Sequence, residues 1–335
     1  MAIEAVAYSR AGLVGNPSDG YFGKTISVIV RDFYAKVSLY ESPRLEIIPS
    51  HQDESRYESI DHLTEDVRLN GYYGGIRLMK ASIYKFYQYC QTNKITLPQR
   101  NFSIRYRSTI PRRLGLAGSS ALVTATMKCL MEFYEVEIPK PILPNLILSV
   151  ETEELGIFAG LQDRVIQVYE GCVFMDFNKE LMEKQGYGYY EEIPISLLPK
   201  LFIAYRKELS EGSEIFHNNV RERWLSGDPT VHQAMKDFAE YAQKARDLLW
   251  AGKGEEIGVW MDKNFDRRKS IYNLDPRQVR LVDIARSVGA HAQFTGSGGA
   301  IVGTYEDEKM YEQLVKAFQT ENAVVFKPKI VEEET

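Results

Sequence analysis

Apolar and polar residues alternate along much of the first half of the chain, and this alternation predicts short β-strands. Four of them come early: Ile3–Tyr8, Thr25–Val30, Tyr34–Tyr40 and Leu45–Ile48. The segment between the first two is rich in Gly, Pro and Asp, which favour turns, and is predicted to be a loop. Two more strands are expected later, at Phe102–Tyr106 and Gly171–Phe177.

Apolar residues at helical spacing predict helices between these strands. The segment Tyr72–Cys90 has this spacing, and its expected buried stripe is Ile76, Met79, Ile83, Phe86 and Tyr87. Three further helices are predicted at Ser119–Tyr134, Asn145–Leu155 and Leu161–Tyr169. The serines that open the first of these three favour helix starts and are expected to cap it.

The second half of the chain has a different pattern, in which one strand precedes a run of helices. The strand is Leu201–Tyr205, and the predicted helices are Glu214–Trp224, Val231–Trp250, Glu255–Tyr272 and Pro276–Val288. The second helix has an apolar stripe, which consists of Met235, Phe238, Ala242, Ala245 and Leu249. A strand pair, a helix and a last strand follow: His291–Phe294, Ala300–Thr304, Lys309–Thr320 and Ala323–Pro328. The change near Pro194 and Pro199 predicts two domains, residues 1–195 and 196–335, with a ligand between two α+β lobes.

Composition limits the classes of function. The 335 residues include 44% hydrophobic and 26% charged side chains, with a formal net charge of −5. Such a chain has no global positive field to attract nucleic acid or an anionic membrane. The three cysteines lie far apart and are odd in number, so we expect reduced thiols and a cytoplasmic location. The N-terminal residues include an early acid and no apolar h-region, which predicts no signal peptide, and no run of 18 apolar residues occurs, which predicts no membrane span. The five histidines are scattered, which argues against a zinc site.

A glycine- and serine-rich segment, Ile110–Ala121, precedes an apolar helix. A helix start presents free N–H groups, and glycines let the backbone approach a ligand closely, so the segment can cradle phosphate. It lacks the lysine of a Walker A loop and the spacing of a dinucleotide-binding loop. The alternative interpretation is an ordinary loop before a serine-capped helix.

Two other stretches have similar chemistry. Ser9–Gly23 concentrates polar groups able to bond hydroxyls, and Phe294–Ala300 holds the run Gly296-Ser-Gly-Gly299 between apolar strands. Their alternative interpretations are a surface loop and a hairpin turn. Four residues exceed what a tight turn needs, which favours close approach of a ligand in the second case.

These three stretches, in this order, resemble the signature motifs of the GHMP kinase superfamily. The resemblance implies an α+β fold of two lobes, with an N-terminal mixed α/β lobe and a C-terminal ferredoxin-like lobe with extra helices. It also implies use of ATP and Mg²⁺. A closer resemblance, to the sugar-acid 1-kinases of the superfamily, rests on Gly15–Asp19, Tyr21–Gly23, Gly71–Gly75, Gly115–Ser120, Gly160–Arg164 and Asn264–Asp266.

The resemblance assigns roles residue by residue. Asp163 would face the acceptor hydroxyl and Arg10 would pair with it, unless the two only join two segments. Glu151 and Ser120 would bind the metal, with Glu153 and Glu154, and Ser119, as alternatives. The residues implied to bind ATP are Pro111, Gly115, Leu116, Ala117, Gly118, Ser119, Ser120, Ala121 and Tyr73, of which Tyr73 is equally well interpreted as a core aromatic.

The residues implied to bind the sugar are Asn16, Ser18, Asp19, Gly160, Arg164, Arg268, Gly296, Ser297 and Gly298. A sugar acid also needs a cation for its carboxylate, and Arg112, Arg113, Arg164 and Arg268 are the candidates. The implied reaction is phosphorylation of the anomeric hydroxyl of D-glucuronate, with galacturonate, a heptose phosphate, fucose or arabinose as alternatives. A sugar and ATP sensor without activity is disfavoured because both acids are present. The expected protein is a monomer or homodimer that binds neither nucleic acid nor membrane.

Overall fold

The computed structural model describes residues 2–49, 74–206 and 220–331. Two long strands, β1 (Ala2–Val14) and β2 (Lys24–Glu41), pair with each other near the N-terminus. The chain divides into two compact units, and neither is continuous in sequence. The first unit comprises Met1–Ser9, Phe33–Ile110 and Ala117–Val168, and the second comprises Arg10–Asp32, Pro111–Leu116 and Tyr169–Thr335.

In the first unit a small sheet packs with helices. Residues Ala35–Glu41 of β2 pair antiparallel with β4 (Phe102–Ser108), which also pairs in parallel with the short β3 (Glu46–Ile47). The helices of this unit are α1 (Gly75–Thr92), α2 (Gly118–Tyr134), α3 (Leu143–Ser149) and α4 (Gln162–Tyr169). A π-helical turn, Val150–Glu154, extends α3. Phe102 packs edge-on against Phe133 at the centre of this core.

The second unit contains two sets of paired strands. In one, Lys24–Val28 of β2 pair antiparallel with β5 (Cys172–Asp176), which pairs on its other side with β6 (Tyr189–Glu192). The other consists of β7 (Leu201–Arg206), β8 (His291–Phe294), β9 (Ala300–Thr304) and β10 (Ala323–Phe326), in the order β10-β7-β9-β8. All its pairings are antiparallel. This strand order and the intervening helices confirm the predicted ferredoxin-like arrangement.

Six helices belong to the second unit in the described chain: α5 (Lys179–Gln185), α6 (Val220–Leu225), α7 (Pro229–Trp250), α8 (Gly258–Ile271), α9 (Pro276–Ser287) and α10 (Glu308–Gln319). Helices α8 and α9 pack on β8 and β9, and α7 packs on α8. The apolar stripe expected on α7 is buried as predicted, from Met235 to Leu249. Asp228 caps α7 by accepting from the N–H groups of Thr230 and Val231.

Several predicted boundaries need correction. Residues 9–14, assigned to a loop, continue β1, and β2 runs without a break where two strands were expected. Helix α5 and strand β6 were not predicted. Tyr87, expected on the buried stripe of α1, is 51% exposed. The predicted helix Glu214–Trp224 lies partly outside the described residues. No helix in the described ranges is both long and apolar enough to cross a membrane.

Candidate active site

The first part of the central glycine-rich segment, Pro111–Leu116, belongs to the second unit and packs on the C-terminal glycine-rich stretch. Gly115 has a φ of +63°, and a Cβ built on it would lie 2.8 Å from the carbonyl oxygen of Gly298 and 2.9 Å from the nitrogen of Ser297. A Cβ on Gly296 would lie 2.4 Å from the carbonyl oxygen of Gly115. Only glycine fits at both positions, so the two segments approach backbone to backbone.

Arg10 joins three segments within this unit. It is 4% exposed. Its Nη1 donates to the carbonyl oxygens of Gly115 at 2.5 Å and Thr295 at 2.9 Å. Thr295 also accepts from the backbone N–H of Gly12 at 2.8 Å. The side chain of Arg10 and the backbone bond between Gly12 and Thr295 therefore connect the end of β1, the central glycine-rich segment and the C-terminal glycine-rich stretch.

Asn264, on α8, fixes the turn after β1. Its Oδ1 accepts from the N–H of Gly15 at 2.8 Å, and its Nδ2 donates to the carbonyl oxygen of Asn16 at 3.0 Å and to Oε1 of Gln293 at 2.7 Å. Gln293 in turn donates to the carbonyl oxygens of Gly12 and Leu13. This fully buried amide pair holds the backbone that carries Asn16 and Asp19.

Two of the predicted sugar-binding side chains meet beside this turn. Nη1 of Arg268, also on α8, donates to Oδ1 of Asn16 at 2.9 Å and to the carbonyl oxygen of Gly296 at 2.7 Å. Asp19 is half-buried, whereas Ser18 is fully buried and its hydroxyl donates to the carbonyl oxygen of Lys24. Ser18 therefore supports the turn in this structure, and a role in binding sugar stays a prediction.

The second part of the central segment, Ala117–Ala121, begins the first unit's helix α2. Ala117 precedes the helix with φ 62° and ψ 45°, a left-handed conformation that is rare for alanine, and no side chain caps the helix start. The predicted serine cap is therefore wrong. The carbonyl of Ala117 accepts from Nε2 of Gln167 at 3.0 Å and from the hydroxyl of Ser120 at 3.1 Å. These bonds hold a strained residue where free N–H groups can face an anion.

The predicted acids come together in the first unit around one arginine. Glu151 lies in the π-helical turn, a feature frequent at functional sites, and Asp163 lies in the first turn of α4. Arg164 donates from Nη2 to Oε2 of Glu151, and its Nη1 lies 3.5 Å from Oδ2 of Asp163. Nη1 also donates to the carbonyl oxygen of Gly160 at 2.9 Å. Arg164 thus lies between the two carboxylates and forms an ion pair with each.

The chemistry of this group fits a hard divalent cation. In the described residues the contacts of Glu151 to Arg164 use Oε2, so Oε1 is left as a ligand. The hydroxyl of Ser120 uses its proton on Ala117 and keeps lone pairs for a metal. Ser119 is less buried. No cluster of three or more His, Cys, Asp or Glu side chains suited to a metal occurs in the described part of the chain.

The remaining predicted positions fall as follows. Ser297 is exposed between buried glycines, Arg112 is exposed, and Arg113 has a φ of +60°. Tyr73 lies outside the described residues. Sequence patterns did not identify Gln167 or Gln293, because an isolated amide on an element carries no local signal of its role. Asn264 lies in the motif Asn264–Asp266, but no role was predicted for it. The pairing of Arg10 with Asp163 stays a prediction.

The class of protein follows from this fold and these motifs. Residues 78–171 match the family model "GHMP kinases N terminal domain". A galactokinase of Lactococcus lactis, solved as a complex with galactose, has the same fold with a TM-score of 0.74 at 14% sequence identity, covering 100% of this chain and 95% of that one. The fold is that of the GHMP kinases.

Sequence comparison is more specific. Glucuronokinase 1 of Arabidopsis thaliana is 45% identical over 307 residues, which cover 90% of this chain and 84% of that protein. Probable glucuronokinase 2 of the same plant is 44% identical and covers 88% of this chain and 82% of its own length. The chain belongs to the glucuronokinase family of GHMP kinases, and it is a phosphotransferase with an alcohol group as acceptor.

Proposed function

We propose that the chain transfers the γ-phosphoryl group of ATP to the anomeric hydroxyl of D-glucuronate, giving glucuronate 1-phosphate and ADP. The observation that carries this proposal is the 45% identity to glucuronokinase 1 over 90% of the chain. The structure supports it with two acids, Glu151 and Asp163, held by Arg164, and with two glycine-rich segments in close backbone contact.

Phosphoryl transfer depends on positioning and charge neutralisation more than on covalent chemistry of the protein. The anomeric oxygen attacks the γ-phosphorus, the bond to the β,γ-bridging oxygen breaks, and ADP leaves with that electron pair. Asp163 accepts the hydroxyl proton, and the guanidinium of Arg164 lies 3.5 Å from its carboxylate and holds it in place. The N–H groups at the start of α2 bind the phosphates.

Magnesium, when bound, neutralises charge on the β- and γ-phosphate oxygens. Glu151 and the hydroxyl of Ser120 would hold it. Arg164 orients Glu151 for this task, since both side chains are buried and bonded to each other. The roles of Asn16, Asp19 and Gly296–Gly298 in binding the sugar belong to the same proposal.

The test is a panel of sugars incubated with ATP and Mg²⁺: glucuronate, galacturonate, glucose, fucose, arabinose and a heptose phosphate. We expect ADP release with glucuronate and none with glucose, and phosphorus NMR should locate the product phosphate on the anomeric oxygen. Asp163→Asn should bind ATP with unchanged affinity yet lose turnover by a factor of about 100 or more. Glu153→Gln is the matched control, because Glu153 is exposed and paired with Lys85, and it should keep full activity.

Two results would contradict the proposal. Preference for another sugar of the panel would assign a different substrate. An Asp163→Asn variant with most of its activity would remove Asp163 from proton transfer.

A further inference from the structure

Arg268 is a buried cation in the second unit. Its side chain lies in α8 and is only 5% exposed. The guanidinium carbon stands 5.2 Å from the centre of the Tyr272 ring and 5.5 Å from the centre of the Phe294 ring. Aromatic faces stabilise a guanidinium without using its N–H groups, so these contacts leave its hydrogen-bonding capacity for other partners.

Among the described residues, only one of its three nitrogens has a hydrogen-bond partner. Both side-chain hydrogen bonds come from Nη1, to Asn16 and to Gly296. The Nε atom is buried and has no hydrogen-bond partner in the described part of the chain. The described residues place no carboxylate within ion-pair distance of Arg268, and they provide no acceptor for Nη2. The edge formed by Nε and Nη2 is therefore unsatisfied.

Burying a charge without a partner is unfavourable, and this cost lowers the pKa of Arg268. Burial lowers the pKa of Arg268 below its ordinary value, and the nearby charge of Arg10 lowers it further, while Tyr272 and Asp19 oppose the shift. The neighbouring Arg267 on the same helix is different, because its Nε lies 2.7 Å from Oδ2 of Asp237. Arg268 thus lacks the carboxylate counter-charge that Asp237 provides for Arg267.

The edge formed by Nε and Nη2 belongs to a side chain that is held by predicted sugar-binding residues. The two acceptors that hold Nη1 belong to the turn after β1 and to the C-terminal glycine-rich stretch, both within the proposed sugar-binding set. The Nε–H and Nη2–H groups of a guanidinium point in parallel and match the two oxygens of a carboxylate. A ligand carboxylate would accept hydrogen bonds from both Nε and Nη2, and it would also supply the missing counter-charge.

We propose that Arg268 binds the carboxylate of the sugar-acid substrate through Nε and Nη2, and that this contact makes the enzyme select a uronate over a neutral hexose. Arg268 is then the specificity-determining residue, with Asn16 and Gly296 fixing its orientation. Arg164, another of the four candidate arginines, is bonded to Glu151 and to the carbonyl oxygen of Gly160. The inference rests on the proposed function, because it assumes a sugar acid as substrate.

The first experiment needs no substitution. We compare kcat/KM of the unaltered enzyme for D-glucuronate and for D-glucuronamide, whose amide has nearly the shape of the carboxylate and no charge. Two charge-assisted hydrogen bonds should give a preference of about 100-fold for glucuronate. Equal use of both substrates would overturn the inference.

The second experiment locates the preference. Arg268→Gln should lose about 100-fold in kcat/KM for glucuronate and change little for glucuronamide, so the ratio of the two should fall to near one. Arg268→Lys should keep part of the ratio, since it restores a charge without the planar edge. Arg267→Gln removes the same charge one position earlier and should leave the ratio unchanged.

The ratio of kcat/KM for glucuronate to kcat/KM for glucuronamide distinguishes a role of Arg268 in substrate recognition from a purely structural role. A purely structural role of Arg268 would lower activity on both substrates equally and leave the ratio at the unaltered enzyme's value, which would overturn the inference. If Arg268→Gln fails to fold, Arg268→Lys and the two-substrate comparison decide. Failure of the proposed function looks different: the unaltered enzyme would not phosphorylate glucuronate while another sugar of the panel is phosphorylated.

Discussion

The buried pair between Arg164 and Glu151 allows a quantitative prediction about stability. The two side chains are 4% and 3% exposed, so water screens their charges very little. Arg164→Gln leaves the Glu151 carboxylate buried without its counter-charge, and we expect a loss of about 3–5 kcal/mol in the free energy of unfolding. The double variant Arg164→Gln, Glu151→Gln removes both charges, and it should be within about 2 kcal/mol of the original protein.

The assay is urea denaturation of the four members of this double-mutant cycle, followed by circular dichroism and by tryptophan fluorescence. The two probes show whether the units unfold together, which decides how the free energies are compared. Lys179→Gln with Glu183→Gln is the control cycle, because those side chains are 62% and 67% exposed and should show no measurable coupling. Additive effects of the two substitutions at Arg164 and Glu151 would refute the reasoning, since they would show that neither charge depends on the other.

Three further predictions concern other parts of the structure. Gly115→Ala should destabilise the protein by about 2 kcal/mol more than Gly186→Ala and should raise KM for ATP. Both glycines have a positive φ, but only at Gly115 would the added Cβ collide with backbone atoms. Urea denaturation and steady-state kinetics test the two parts of this prediction. Asn264→Leu should lower the unfolding free energy by about 2–4 kcal/mol and raise KM for the sugar, because its buried backbone partners lose their bonds. The hydrogen bond to Asp262 raises the pKa of His291 above its ordinary value of 6.5. The stabilisation of the fold by protonated His291 is therefore full below pH 6.5 and is lost as the pH rises through the raised pKa. The difference in unfolding free energy between the original protein and His291→Gln should shrink between about pH 5.5 and pH 9. An advantage independent of pH, or equal effects of the two glycine substitutions, would contradict these expectations.

Local chemistry made part of the site predictable. The glycines at 115 and 296 are required by close backbone approach, and that requirement appears in sequence as a short run of glycines between apolar segments. The stripe on α7 was predicted because a buried helix face repeats every three or four residues. These features depend on neighbours along the chain, so one sequence contains the signal.

Other features depend on partners distant in sequence. Strand β2 was predicted as two pieces because Arg31 and Asp32 interrupt its apolar pattern. In the structure the N–H of Arg31 bonds the carbonyl of Lys329, and its guanidinium pairs with Glu170, so the strand continues. The left-handed Ala117 is held by Gln167, fifty positions later. Tertiary contacts of this kind override local preference, and a pattern along one chain does not contain them.

The interleaved composition of the two units has a consequence for the order of events during synthesis. All residues of the first unit have been made once Val168 has been added, whereas the second unit needs its early segments, Arg10–Asp32 and Pro111–Leu116, to wait for Tyr169–Thr335. While the ribosome completes the chain, the end of β1 and the segment Pro111–Leu116 therefore lack the partners that Thr295 and Asn264 later provide. Pairings this distant in sequence slow folding and leave hydrophobic segments open to aggregation. A truncation within the C-terminal half should thus release incomplete chains to chaperones and proteases, although every predicted catalytic residue has already been synthesised.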